Sequence, residues 1–171
     1  IFFQVAYYDW NNNHSDAINY FRLEVIRALK NYFGNKFIGG FYYDGILPKP
    51  FNNYRSNVSS EFKIYKKFVT NAKIVISTNG FGGSVPWKLV EYLKWGCAIV
   101  SEQNAHLFRV PMYKNTIQMF TLPEEVIDKC KTLISDENLI LEQKMKSRKY
   151  FNSFIKPRNL MKDILENSFI K

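Results

Sequence analysis

Residues 73–102 read KIVISTNGFGGSVPWKLVEYLKWGCAIVSE, and their reading decides the fold. Lys73 to Ser77 is a short apolar run of strand type, and Thr78 to Ser84 is a turn rich in glycine and small polar residues. Pro86 to Trp95 carries helical periodicity, with proline where a first turn tolerates it and Gly96 placed to end the helix. Ala98 to Ser101 is a second apolar strand. A strand that ends in a glycine turn opening a helix sets unpaired backbone N–H groups, and the positive end of the helix dipole, at the carboxyl edge of a sheet.

The same alternation extends outward in both directions. Ile1 to Tyr8 reads as a strand, Trp10 to His14 as a polar loop, and a helix is expected from about Asp16. Ile18, Phe21, Val25, Leu29 and Tyr32 recur at the i+3/i+4 spacing of one buried face. Ser15 or Asp16 is placed to cap that helix, and Gly34 to stop it in the left-handed region. Lys36 to Tyr43 closes a strand-helix-strand unit, whose compact connection favours parallel pairing. The loop Asp44 to Asn57, with Pro48 and Pro50, leads to a helix over Ser60 to Thr70 with Phe62, Tyr65 and Val69 on one side. Thr116 to Phe120 is a final strand. Helices follow over Pro123 to Ser135, Asp136 to Phe154 and Arg158 to Phe169, the last two parted by Pro157. Strands alternating with helices predict an α/β domain of Rossmann-like type, an open, mostly parallel sheet with helices on both faces, over residues 1–171.

The chain has 171 residues, enough to bury a core without staples. It opens on a strand at Ile1 rather than on Met, which leads us to expect residues upstream. No apolar run approaches the roughly 18 to 20 residues of a membrane-spanning helix. Cys97 and Cys130 are too few for a disulfide framework and are not spaced as metal ligands; two buried thiols in a reducing cytosol are expected. The net charge of +9 invites nucleic acid or the anionic face of a membrane, set against an ordinary solvated basic surface. The positive residues, among them Lys63, Lys66, Lys67, Lys144, Lys146, Arg148, Lys149 and Lys156, are dispersed, and no stretch is dense enough to name a ligand.

The chemistry concentrates in residues 78–102. Gly80, Gly82 and Gly83 permit positive φ and close approach of a diphosphate to the backbone. At about 100° per residue, Val85, Leu89, Val90, Tyr92 and Leu93 fill one arc of the helix, and Lys88 and Glu91 share the other with Ser84 near its start. Lys88 could meet phosphate oxygens as a point charge, and Glu91 could accept hydrogen bonds from two ribose hydroxyls. The plainer alternative is a surface i,i+3 pair contributing about 0.2 to 0.5 kcal/mol. Thr78 and Asn79, at the strand end, are placed for base or phosphate contacts or for loop capping. Glu102 ends the next strand, where it could meet donor or acceptor. His14 and His106 are ambiguous between surface or structural roles and ligand contact, and Asn57-Val58-Ser59 fits the glycosylation pattern incidentally. Tyr42, Tyr43, Phe51 and Tyr54 are candidates for an acceptor cleft or for plain packing.

The run GFGGSVPWKLVEYLKWGCAIVSE resembles the donor-site segment of glycosyltransferases of the two-domain GT-B type, and is similar to the exostosin-like and bacterial capsule branches. The match is dense over about thirty residues and loose elsewhere. The resemblance implies that Glu91 holds the nucleotide ribose and that Gly82, Gly83, Ser84 and Lys88 receive the diphosphate, with Lys88 stabilising the leaving group. Many retaining members carry another Glu eight positions earlier, where this chain has Gly83, so the stereochemical course stays open. A donor-binding domain of this kind implies a nucleotide-diphosphate sugar as substrate, no obligatory cofactor or metal, a glycan or lipid-linked acceptor, and a partner N-terminal domain that supplies the catalytic base. The cysteine reading and the positive charge add the expectation of a cytoplasmic enzyme with peripheral contact at the anionic inner membrane face; nucleic acid is not the expected partner. Two alternatives remain at this point: a nucleotide-sugar epimerase of the same architecture, and a basic non-catalytic α/β module that binds nucleic acid or protein.

Overall fold

The computed structural model describes residues 1–9, 13–104 and 116–168. Its sheet has five strands, β1 (Phe2–Ala6), β2 (Ile38–Tyr42), β3 (Val75–Ser77), β4 (Ile99–Glu102) and β5 (Gln118–Phe120), all parallel and ordered β2-β1-β3-β4-β5. The helices are α1 (Asn13–Phe33), α2 (Phe62–Asn71), α3 (Trp87–Trp95), α4 (Glu125–Ile134), α5 (Glu137–Tyr150) and α6 (Pro157–Ser168). The α/β class, the parallel sheet and the helices on two faces agree with the sequence reading.

The strand order explains the two faces. From β1 the chain steps outward to β2, then returns past β1 to build β3, β4 and β5 on the other side. Right-handed crossovers therefore place α1 on one face and α2 and α3 on the opposite one. Phe3, Val5, Ile74, Ile76 and Val100 bury against Leu23, Ile26 and Leu29 of α1 and Val126, Cys130 and Leu133 of α4. Phe2, Val75 and Ile99 bury against Val69 of α2, Leu89, Tyr92 and Leu93 of α3, and Tyr150 of α5.

Where the winding direction reverses, the sheet opens. β1 matches β2 along five residue pairs but meets β3 only at Phe2 opposite Val75. Beyond that pair the carboxyl halves of β1 and β3 part, leaving the crevice in which open α/β sheets bind ligands.

Several local expectations shift. Helix α1 already runs at Asn13, so Ser15 lies inside it, fully buried, instead of capping it from outside. Its inward residues are Ser15, Asn19, Arg22, Leu23, Val25, Ile26 and Leu29, whereas Tyr32 is 55% exposed and lies under the ammonium of Lys131. Gly34 takes the left-handed conformation expected of it, with φ of 53°. Pro86 precedes α3 with extended backbone, and Gly96 closes it at φ 66°. After α5 the chain passes through a π-helical turn over residues 151–155, and Pro157 then occupies the first position of α6. His106 lies outside the described residues.

Candidate functional site

The split between β1 and β3 is filled from two directions by cations. Arg22 projects from α1 and is 4% exposed. Its Nη1 donates to Ala6 O at the end of β1 (2.9 Å), its Nε to Thr78 Oγ1 (3.2 Å), and its Nη2 to Asn79 O (3.0 Å) and the Tyr8 hydroxyl (3.3 Å). The guanidinium thus ties together strand ends that lack a ladder of their own, and it lies 4.5 Å from the Tyr8 ring centre. Asn19, one turn earlier, holds the chain after β1 through both Tyr8 N–H (3.1 Å) and Tyr8 O (2.8 Å).

Lys88 enters from α3. The helical angle predicts a solvent-facing polar side for it, but its stem bends inward and its ammonium donates to Gln4 O of β1, 5.2 Å from the Tyr65 ring centre. That carbonyl is available because β3 does not pair with β1 beyond Phe2. Burial lowers the Lys88 pKa to about 8, the Arg22 charge pushes it the same way, and Glu91 opposes both. Neither Arg22 nor Lys88 forms an ion pair among the described residues.

Beside these cations lies a cavity of about 330 Å³, lined by Tyr8, Arg22, Ser77, Gly80, Phe81, Ser84, Trp87 and Lys88 among others. Ser77 closes β3 and is 3% exposed, and its Oγ has no hydrogen-bond partner. A buried hydroxyl left without a partner costs about 1 to 3 kcal/mol, and a polar ligand in the cavity could supply one. A larger cavity of about 910 Å³ lies at the amino end of the sheet, between Ile1, Ile38 and α2. Its surface is mostly apolar, with Lys36, Lys63, Lys67 and Lys73 around it, whereas the smaller cavity lies at the carboxyl edge, where open α/β sheets bind ligands, and holds the unpartnered Ser77 hydroxyl.

The glycine turn differs from its sequence reading in one respect. Its amides are engaged within the loop, not open: Gly80 N–H donates to Ser84 O (2.8 Å), Gly83 N–H to Gly80 O (3.2 Å) and Ser84 N–H to Phe81 O (3.2 Å). Gly82 N–H donates to His14 Nε2 (3.0 Å), so His14 clamps the turn. Gly82 and Gly83 do need their glycines, with φ of 64° and 73°. The free donors lie further on: α3 starts after Pro86 with no side-chain cap, so the amides of Trp87 and Lys88 in its first turn lack one.

Thr78, Asn79 and Glu102 are brought together with His14 and Gly83 around a further cavity of about 270 Å³, where they also brace the loop. Thr78 is buried against Arg22. Asn79 donates its N–H to Glu102 Oε2 (2.7 Å) and its Nδ2 to Gln103 O (3.0 Å), and its Oδ1 accepts from Asn104 (2.8 Å). Burial raises the Glu102 carboxyl pKa, and the bonds from Asn79 and the charge of Arg22 oppose the rise. Glu91 is half-buried, one turn beyond Lys88, and does not line the 330 Å³ cavity. Burial raises its carboxyl pKa too, against Lys88 and Lys94. Ser84 and Gly80 do line the cavity.

Sequence reasoning missed Arg22, Ser77, Tyr8 and Trp87. A signal existed for Arg22, which sits between Ile18 and Val25 on the apolar side of α1, where an arginine must find polar partners. Of the aromatics read as cleft or packing residues, Phe51 packs at 4% exposure against Phe41 and Tyr7 and Tyr54 lies under Arg27 and Lys30, whereas Tyr42 and Tyr43 line a separate cavity of about 370 Å³ beside Arg55. Cys97 and Cys130 are free and buried, their thiol pKa values pushed up by burial to about 11 and about 12. Among the described residues no group of three or more His, Cys, Asp or Glu side chains could hold a metal ion, and no helix is long and apolar enough to cross a membrane. Comparison with protein-family models, with curated proteins and with solved structures finds no match to this chain.

Proposed function

We propose that this domain binds the diphosphate of a nucleotide sugar in the β1/β3 split and serves as the donor-binding half of a glycosyltransferase. The observation that carries the reading is a pair of cations, the buried Arg22 and the half-buried Lys88 whose ammonium turns inward onto Gln4 O, which face no carboxylate within ion-pair distance and border a cavity whose Ser77 hydroxyl has no partner. A desolvated cation without a carboxylate in contact is expensive, and a diphosphate offers these groups both charge and acceptor oxygens.

In the proposed reaction the bond from the anomeric carbon to the diphosphate oxygen breaks and a bond to an acceptor hydroxyl forms. The acceptor proton passes to a base on a facing domain, and Lys88 with the first amides of α3 stabilises the charge that develops on the diphosphate. Glu91, on the outer side of α3, holds the ribose hydroxyls. The facing domain has a surface available to it: Leu160, Met161, Ile164 and Leu165 of α6 are 42–55% exposed. A glycan or lipid-linked acceptor, and a cytoplasmic position at the anionic inner membrane face, belong to the same proposal.

A thermal-shift panel of nucleoside diphosphates and nucleotide sugars tests the reading, since a bound ligand raises apparent stability with its affinity. Lys88→Ala is expected to weaken nucleoside diphosphates far more than nucleosides, and Glu91→Ala to cost about 1 to 3 kcal/mol on both. An affinity that ignores Lys88, or that is equal for nucleoside and nucleoside diphosphate, removes the phosphate assignment. Product formed from a nucleotide sugar without an acceptor would favour an epimerase instead.

A further inference from the structure

Trp87 is 90% exposed, and its side chain makes no hydrogen bond, ion pair or ring contact among the described residues. It is the first residue of α3, next to Lys88 in the chain, and it lines the 330 Å³ cavity together with Phe81, 42% exposed, and Tyr8. Tyr8 and Phe81 meet edge to face at 6.5 Å, and Phe81 is held on its other side by the ring of His14 at 4.6 Å. The mouth of the cavity is therefore aromatic, while its floor holds Arg22, Lys88 and Ser77. An indole in water is an exposed apolar surface of large area, and at the rim of a polar cavity it marks a contact surface better than an isolated exposed aliphatic residue does.

Resting on the diphosphate reading above, we infer that Trp87 is the stacking platform for the nucleobase, so that α3 reads all three parts of a nucleotide. Residues i and i+4 share a helix face with Cβ atoms about 5–6 Å apart, which puts Trp87 and Glu91 in line on the outside of α3 and Lys88 between them on the inward side. A nucleoside laid along this helix sets its base on Trp87, its ribose hydroxyls at Glu91 and its phosphates inward at Lys88. Stacking on an indole tolerates any base, so Trp87 contributes affinity for nucleotides as a class.

The experiment measures affinities of the full chain for uridine diphosphate, guanosine diphosphate, pyrophosphate and glucose 1-phosphate, by calorimetry and by tryptophan fluorescence. The expected result is that both nucleoside diphosphates bind at least fivefold more tightly than pyrophosphate and quench fluorescence. Trp87→Ala should cut that preference about fivefold or more, leaving the part that Glu91 contributes through the ribose, with pyrophosphate binding and the melting temperature unchanged. Trp87→Phe should restore most of the preference while removing the quenching, which separates Trp87 from Trp10 and Trp95. Nucleoside diphosphates that bind no better than pyrophosphate, or a preference undiminished in Trp87→Ala, overturn the stacking role and leave the anion site standing. Glucose 1-phosphate that quenches Trp87 as strongly as uridine diphosphate assigns the indole to a sugar and overturns it as well. If no anion binds at all, the diphosphate reading fails and this inference with it.

Discussion

Lys88 carries a pH dependence whose sign can be worked out. Its pKa is about 8 in the fold, against 10.5 for a free side chain, so between these values the unfolded chain holds more protons and stability rises with pH. Below about 8 both states are protonated and the cost of the buried charge is present in full. Bound phosphate reverses the preference by favouring the ammonium, so nucleoside diphosphate affinity is expected to hold below pH 8 and fall above it. The neighbours that face this ammonium are Arg22 from α1, Tyr65 from α2 and Glu91 on α3, and none of them removes the effect. Affinities measured from pH 6.5 to 9.5 check it: Lys88→Arg should flatten the profile, and a wild-type profile flat across pH 8 would mean that the ammonium does not touch the ligand. At this scale the site was half legible. Lys88 and the glycine turn stand out in the sequence because their spacing sets them at a helix start. Ser77 does not, because it reads as a plain strand residue, and Arg22 shows only as an arginine on an apolar helix side, whose partners stay unknown until β1 and β3 are known to part.

At the scale of elements, the alternation of strands and helices was readable throughout, and the sheet's order was not. Periodicity reports which side of a helix is apolar, but the pairing of β1 with both β2 and β3 depends on contacts between distant segments. The reading of α1 shows where the difference arises. Its apolar stripe was visible, yet Asn19 and Arg22 also turn inward because the helix runs over the open split, where backbone groups need side-chain partners. Gln143 of α5 is a second case of the same kind. β5 begins opposite Val100, so the outward N–H and C=O of Ile99 have no strand to meet, and the buried Gln143 side chain satisfies both, at 3.0 and 3.1 Å. Gln143→Leu should keep the volume and orphan both groups, costing about 2 kcal/mol or more. Urea unfolding that shows a loss below about 0.5 kcal/mol would mean that water or a shifted β5 replaces the amide.

For the whole molecule the question is whether a net charge of +9 would draw in any anion regardless of the split. The two cases separate by screening. Exposed lysines lose most of their attraction as the Debye length shrinks from about 10 Å at 0.1 M salt to about 3 Å at 1 M, whereas a cation held out of water is screened far less. Polyanion binding by dispersed surface charge should fall by orders of magnitude over that range. Arg22 is 4% exposed and Lys88 is turned into the sheet, so the nucleoside diphosphate shift should shrink modestly and still saturate. On the donor-binding proposal the chain alone is also expected to release no sugar from a nucleotide sugar that it binds, because that proposal puts the base and the acceptor on a facing domain. Thermal shifts with uridine diphosphate and with a short RNA, each at about 0.1 M and about 1 M salt, read both outcomes. If the nucleotide shift disappeared in parallel with that of RNA, the anion would sit on the lysine-bearing surface, and the basic module that binds nucleic acid would replace the donor-binding domain as the account of this fold.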